Sequence, residues 1–316
     1  MLFRSNDTGN YAIFTNQLLD PEIIESTTVN LGTTDTDSPT ASATGGTINV
    51  LSRKPTNDFR VMGVLSGGSF SDRRLFGSID SGAFGPWGTT AFASVSYQKY
   101  DKFKGPGTLE KLQFNGKIYQ SLGGKDDFLA IGFHYNRNRV NSYRTLSLAE
   151  IAQFGTKFDY FPTCTPATPH AGVADNDGAG NANDPTTAAS CTNYIGQRVN
   201  PSNTGNIRGQ AFFHVTDDIA ITLDPNFQYV LATGGTTTGT VSETDGRLKG
   251  TKNTGVDING DGDTLDTVRV YNASVTNTYR YGVTASAIWK FAADQAVRAS
   301  YTLDYGRHRQ TGDSTT

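Results

Sequence analysis

The chain has 316 residues and only two cysteines, two methionines and two tryptophans. It has no run approaching the roughly 18 consecutive apolar residues that a membrane-spanning helix needs. It also has no basic surplus. Lys and Arg total 27 against 30 Asp and Glu, a formal charge of −3, which argues against nucleic acid as a partner. The opening residues, MLFRSNDTGNY, contain no apolar h-region, so no secretory signal is expected there. No P-loop, HExxH or Ser/His/Asp spacing occurs, so no enzyme is expected. The pairs Gly67-Gly68 and Gly234-Gly235 read as turn or loop glycines. What is abundant is Gly (35), Phe (18) and Tyr (14), an all-β composition.

Residues 279–291 read YRYGVTASAIWKF. Tyr279, Tyr281, Val283, Ala285, Ala287, Trp289 and Phe291 share one parity. Arg280, Gly282, Thr284, Ser286 and Lys290 share the other, with Ile288 the exception. Successive side chains of a strand point to opposite faces, so this is an apolar face backed by a polar one. The pattern recurs in Val297/Ala299/Tyr301/Leu303/Tyr305, in Ala91/Ala93/Val95/Tyr97 and in Leu129/Ile131/Phe133/Tyr135. A soluble sandwich has the same alternation. Two features favour a membrane barrel. Aromatic pairs end the apolar face about ten residues apart, roughly 23 Å along a tilted strand, the height of an outer-membrane apolar band. The opposite face carries Arg280, Lys290, Arg298, Asp304, Lys117 and Asp224, which suit a water-filled lumen.

About nine strands are predicted, over 59–67, 73–82, 89–100, 110–121, 127–138, 206–216, 218–231, 276–291 and 296–309. The second, fourth, sixth and eighth connections are short. The two very long ones, near 139–205 and 232–275, are the fifth and seventh. In an up-and-down meander all long loops then fall on one side, as in outer-membrane barrels.

Ahead of these strands, Pro21-Glu22-Ile23-Ile24 reads as a short helical turn and Thr27–Leu31 as a strand. A small-residue run follows, then Gly45-Gly46-Thr47-Ile48-Asn49-Val50-Leu51-Ser52-Arg53-Lys54-Pro55. The glycines permit a tight turn into a strand, and Pro55 ends that strand. Ile24-Glu25, Val29 and Gly32, then Gly45, Gly46, Ile48, Asn49, Val50, Ser52, Arg53, Lys54 and Pro55, resemble the end of the plug domain of TonB-dependent outer-membrane receptors. The resemblance implies a plug end over 1–57 and the N-terminal half of a barrel over 58–316, about nine of twenty-two strands. It implies an antiparallel, up-and-down transmembrane β-barrel, partial in this chain. By its absent strands and its polar tail, 311–316, the chain reads as a fragment. The resemblance also implies an outer-membrane location, a TonB partner and energy-coupled uptake of a scarce large solute, such as a ferric siderophore, with haem, cobalamin or oligosaccharides equally compatible. Candidate contacts are Gly32–Thr44 and the loops with Tyr143, Tyr160, Phe161 and Tyr194. The alternatives are a passive porin-like channel and a calcium-stabilised surface β protein.

Asp257, Asn259, Asp261, Asp263 and Asp266, with glycines at 260 and 262, match the front half of a calcium loop. Val268 replaces the closing glutamate, and Asp266 can close the shell instead. An acidic solvated turn fits equally. Asp175-Asn176-Asp177-Gly178 is a weaker echo that reads as a turn. Cys164 and Cys191 lie in one long loop and are expected to form a disulfide that compacts it. His134, His170, His214 and His308 are scattered. His134 and His214 fall on the polar, lumen-facing parity, and a metal chelate is the sharper alternative for them.

Overall fold

The computed structural model describes residues 19–31, 46–123, 126–164, 168–176, 191–248 and 254–315. Its architecture is two antiparallel sheets. The small one pairs β1 (Ile24–Leu31) with β2 (Gly46–Ser52). The large one is a nine-stranded meander in strict chain order: β3 (Phe59–Gly68), β4 (Asp72–Ser81), β5 (Thr90–Asp101), β6 (Thr108–Ser121), β7 (Phe128–Val140), β8 (Ser202–His214), β9 (Ile219–Ser242), β10 (Thr267–Ala292) and β11 (Gln295–Thr315). The one described α-helix, α1 (Leu148–Phe154), lies in the fifth connection. Ser147 caps it and Glu150 reaches back to the Ser147 N–H, a reciprocal capping box.

The predicted strands are present, and three of them are longer than their alternation indicates. β9 and β10 continue into the loop expected at 232–275, with Thr236–Ser242 paired to Thr267–Ala273. β11 runs through the polar tail, with Thr311–Thr315 paired to Tyr271–Val275. The extensions of β9 and β11 are rich in Thr, a β-branched residue that favours strands without marking a buried face. Hence their composition reads as loop while their backbone continues the ladder. The even connections are short, as expected. The first connection, Ser69–Ser71, is also a tight turn, with Phe70 and Ser71 at φ of 60° and 57°.

The sheet is inverted relative to a soluble core. Outward residues are apolar and exposed: Leu65 82 %, Tyr301 62 %, Ile131 56 % and Trp289 53 %. The inward face is polar and buried: Asp80, Gln113, Asn115, Asn136 and Asn138 are each 0–1 % exposed. Pro225 interrupts the β8–β9 ladder between Asn226 and Leu223, because proline has no N–H to donate. Gly209 lies opposite it, and a Cβ there would come within 2.8 Å of the Pro225 ring.

The small sheet docks on the inward face of β4–β6. Leu19, Ile23 and Val50 form one buried apolar cluster with Phe76 and Phe92.

Candidate functional site

The inner face meets the small sheet through charge as well as apolar contact. β2 ends at Ser52, and the chain leaves it through Arg53-Lys54-Pro55. Arg53 Nη1 and Nη2 each donate to one Asp80 oxygen at 2.7 Å. Asp80 also accepts the Thr56 N–H at 3.0 Å. The Arg53 guanidinium lies 4.5 Å over the Phe92 ring, and Lys54 Nζ lies 5.1 Å from the Tyr119 ring. A second pair has the opposite polarity. Arg74 of β4 donates to both Glu22 oxygens at 2.6 and 2.7 Å and to Asp20 at 3.0 Å. Bonding to Arg74 holds the Glu22 carboxyl below its ordinary pKa. Asp20, 3 % exposed, further accepts from Ser96 and Asn115. Lys117 donates to the Ser52 carbonyl at 3.0 Å.

Of the plug-type residues, Ile48 is exposed and Asn49 half-buried, Val50 and Pro55 are buried, and Arg53 and Lys54 engage the wall. Gly45 lies outside the described residues and Gly46 opens β2. Asp20, Glu22, Arg74 and Asp80 were not singled out from the sequence. The available signal was parity, since Arg74 and Asp80 alternate with the outward Leu75 and Ile79.

Toward the long-loop end, a cavity of about 380 Å³ opens on the inner face, lined by Asp72, Gln98, Tyr100, Lys111 and Asn138 among others. Beside it stands a fully buried pair, Lys102 Nζ to Asp159 at 2.7 Å. Lys102 also donates to the Ser142 carbonyl, and Asp159 accepts the Arg144 and Tyr160 N–H groups. Tyr143 and Tyr160 present their rings to the ammonium at 4.7 and 5.5 Å. Burial pushes the Lys102 pKa down, which its bond to Asp159 partly offsets. Gly105, at φ +65°, lies against Asp159, and any Cβ there would overlap that side chain. Phe161 bridges Tyr194 in parallel. Thus all four candidate aromatics belong to one folded loop. Cys164 and Cys191 are disulfide-bonded in it, with Cα atoms 5.0 Å apart.

The Asp-rich loop folds onto this assembly. Gly172 N–H donates to Asp263 and Asp175 N–H to Asp266. Asp263, Asp266 and Glu243 each bring a carboxylate oxygen within 4.8 Å of the others, and Asp175, Asp261 and Asp266 do the same. Glu243 and Asp266 are 0 and 1 % exposed. Asp257 stands apart, accepting from the Gly260 and Gly262 N–H groups, while Asn259 donates to Asp266. The Asp263 N–H lowers the Asp261 pKa, but lost hydration and the carboxylates of Asp263, Asp266 and Asp257 outweigh it and hold it above the ordinary value. The sequence showed the run 257–266 but not that Glu243 would join it or that Asp175, read there only as part of a turn, would reach it from the β7–β8 loop. Asn176 bridges Thr267, while Asp177 and Gly178 lie outside the described residues. His134 is buried against Asn115, His214 pairs with Asp127 at 2.6 Å, His308 contacts Thr278, and His170 contacts Asp175. They form no joint site.

No protein-family model and no curated protein matches the sequence. Solved structures do. The fold is similar to that of outer-membrane siderophore receptors. The ferripyoverdine receptor of the outer membrane of Pseudomonas aeruginosa, bound to ferripyoverdine, aligns at TM-score 0.50 and 14 % identity, over 87 % of this chain and 31 % of that one. The ferric-catecholate import receptor Fiu from E. coli K12, closed form, aligns at 0.51 and 15 %, over 86 % and 34 %. The open form of Fiu aligns at 0.51 and 16 %, over 86 % and 37 %. The chain therefore spans about one third of the length of these receptors. At such identity the likeness is one of fold: an all-β, antiparallel, up-and-down sheet that matches part of a β-barrel.

Proposed function

We propose that this chain is the end of the plug and the first nine barrel strands of a TonB-dependent outer-membrane receptor that imports a ferric siderophore. The observation that carries the reading is the inverted sheet with a plug-type segment bolted to its polar inner face. Exposed Leu65, Ile131 and Trp289 fit lipid, and buried Asp80, Asn115 and Asn136 fit a lumen. A plug must sit firmly enough to seal that lumen, and the Arg53–Asp80 and Arg74–Glu22 pairs supply the contact. The similar structures, which are a ferripyoverdine receptor and a ferric-catecholate import receptor, support the ferric-chelate class. Under this reading the domain boundary falls near residue 57, where β2 gives way to β3. The cavity over Lys111 and the loop holding Tyr143 and Tyr160 then face the incoming solute. TonB would act from the opposite side on plug sequence outside this chain. Calcium in the Asp-rich loop, held by Asp266 together with Glu243 and Asp263 or with Asp175 and Asp261, would brace the outer loops.

The test is uptake. Iron-starved cells expressing a complete receptor that contains this chain should accumulate radiolabelled ferric catecholate or pyoverdine-type chelate, and collapse of the proton gradient should stop it. Accumulation that persists without the gradient would mean a passive channel. A protein monodisperse without detergent would remove the membrane reading altogether.

A further inference from the structure

Lys102 leaves the end of β5, and Asp159 lies in the loop between β7 and β8. Their side chains meet with both 0 % exposed. Two opposite charges taken fully out of water are costly to keep. Passing one proton from the ammonium to the carboxylate leaves a neutral amine beside a neutral acid, which burial favours. An amine in that state is a nucleophile.

The two Asp159 oxygens are held differently. Oδ1 accepts the Arg144 N–H at 3.0 Å and the Tyr160 N–H at 2.8 Å. Oδ2 lies 2.7 Å from Lys102 Nζ, yet among the described residues no hydrogen-bond donor is aligned on it. Two amides on one oxygen polarise the carboxyl carbon and are placed to hold the negative charge that attack on that carbon would put on Oδ1. Oδ2 is then the leaving oxygen. The Ser142 carbonyl accepts from Nζ at 2.9 Å and fixes the amine. The Tyr143 and Tyr160 rings stand 4.7 and 5.5 Å from Nζ, and Phe103 packs on Tyr143 at 4.8 Å between centroids. This aromatic wall keeps out the water that would hydrolyse a product. Gly105 leaves the room that Asp159 occupies.

We propose that Lys102 and Asp159 condense into an intramolecular amide, a covalent staple between the β5–β6 turn and the β7–β8 loop. Nζ passes one proton to Oδ2 and attacks Asp159 Cγ, forming the N–C bond. Nζ passes a second proton to Oδ2, the Cγ–Oδ2 bond breaks, and water leaves. Of the three ammonium protons, two depart in the water and one stays on the amide. The step needs no oxidant or cofactor. With the Cys164–Cys191 disulfide, the loop is then tied by two covalent links, one of which survives reduction. The assignment holds whether or not the large sheet spans a membrane.

The test is the mass of the folded protein after reduction and denaturation. The expected mass is one water below that of the sequence. Tryptic digestion should yield a branched peptide joining Lys102 to Asp159, with no cleavage after Lys102. Lys102→Arg keeps a cation beside Asp159 but cannot form the amide, and it should have the full mass. The full sequence mass in the unaltered protein would overturn the proposal. So would a water loss that maps elsewhere, such as to a ring-closed Asp261-Gly262, or one that persists in Lys102→Arg. The branched peptide is sought in the unaltered protein, so the outcome stands even if the variant does not fold.

Discussion

Arg53 and Asp80 face each other as a parallel, two-pronged pair, each nitrogen 2.7 Å from its oxygen, across the seam between the small sheet and the large one. Asp80 is 1 % exposed. A buried carboxylate that loses its paired guanidinium keeps here only the Thr56 N–H as a direct donor, and such losses cost about 3–5 kcal/mol. Arg53→Ala is therefore expected to destabilise the protein by about that amount. Adding Asp80→Ala to it should cost much less than the sum of the two single changes, because the orphaned charge is gone. Thermal unfolding of the four-member cycle measures this. Additive effects would mean that the pair contributes nothing across the seam.

The loop between β7 and β8 hangs on Lys102 and Asp159. Lys102→Met should leave the Asp159 carboxylate buried without its cation and open the loop around Tyr143 and Tyr160. Gly105→Ala should act similarly by displacing Asp159. Limited proteolysis is the readout, with cleavage within 141–201 accelerating about tenfold or more in either variant. Cleavage at the wild-type rate would show that the disulfide and α1 hold the loop without the pair.

The Asp-rich loop predicts a calcium response. Calcium should raise the melting temperature and bind by calorimetry. Asp263→Asn and Glu243→Gln should each weaken binding, while Asp257→Asn should weaken it less, since that side chain is engaged with the Gly260 and Gly262 amides. Binding should strengthen as pH rises through the elevated Asp261 pKa, because a cation binds the ionised carboxylate. A flat calorimetric trace would leave the loop an acidic turn.

Glu150 supplies a pH prediction. The Ser147 N–H and the Arg144 guanidinium bond its ionised carboxylate and pull its pKa from 4.5 to about 2. The folded value is the lower one. The support for α1 is thus complete above pH 4.5 and is lost as pH falls through about 2. A carboxyl-carbon NMR titration should place the midpoint near the lower value, and Arg144→Ala should move it upward. A midpoint at 4.5 would show that the capping box does not form.

Alternation of apolar and polar residues made the nine strands, their order and their short even turns legible in the sequence, since a period of two is a local property of extended backbone. The motif ending in Arg53-Lys54-Pro55 marked where one sheet stops and the next begins. The Thr-rich ends of β9 and β11 and the β10 segment they pair with were not legible, because their pairing is satisfied by backbone hydrogen bonds that carry no side-chain signature. The partners of Arg53, the Arg74–Glu22 contact, the Lys102–Asp159 pair and the approach of Glu243 to Asp266 were likewise decided only by the tertiary structure. Each joins residues that are distant in the chain, and burial and register, rather than local spacing, bring opposite charges or like carboxylates within bonding reach.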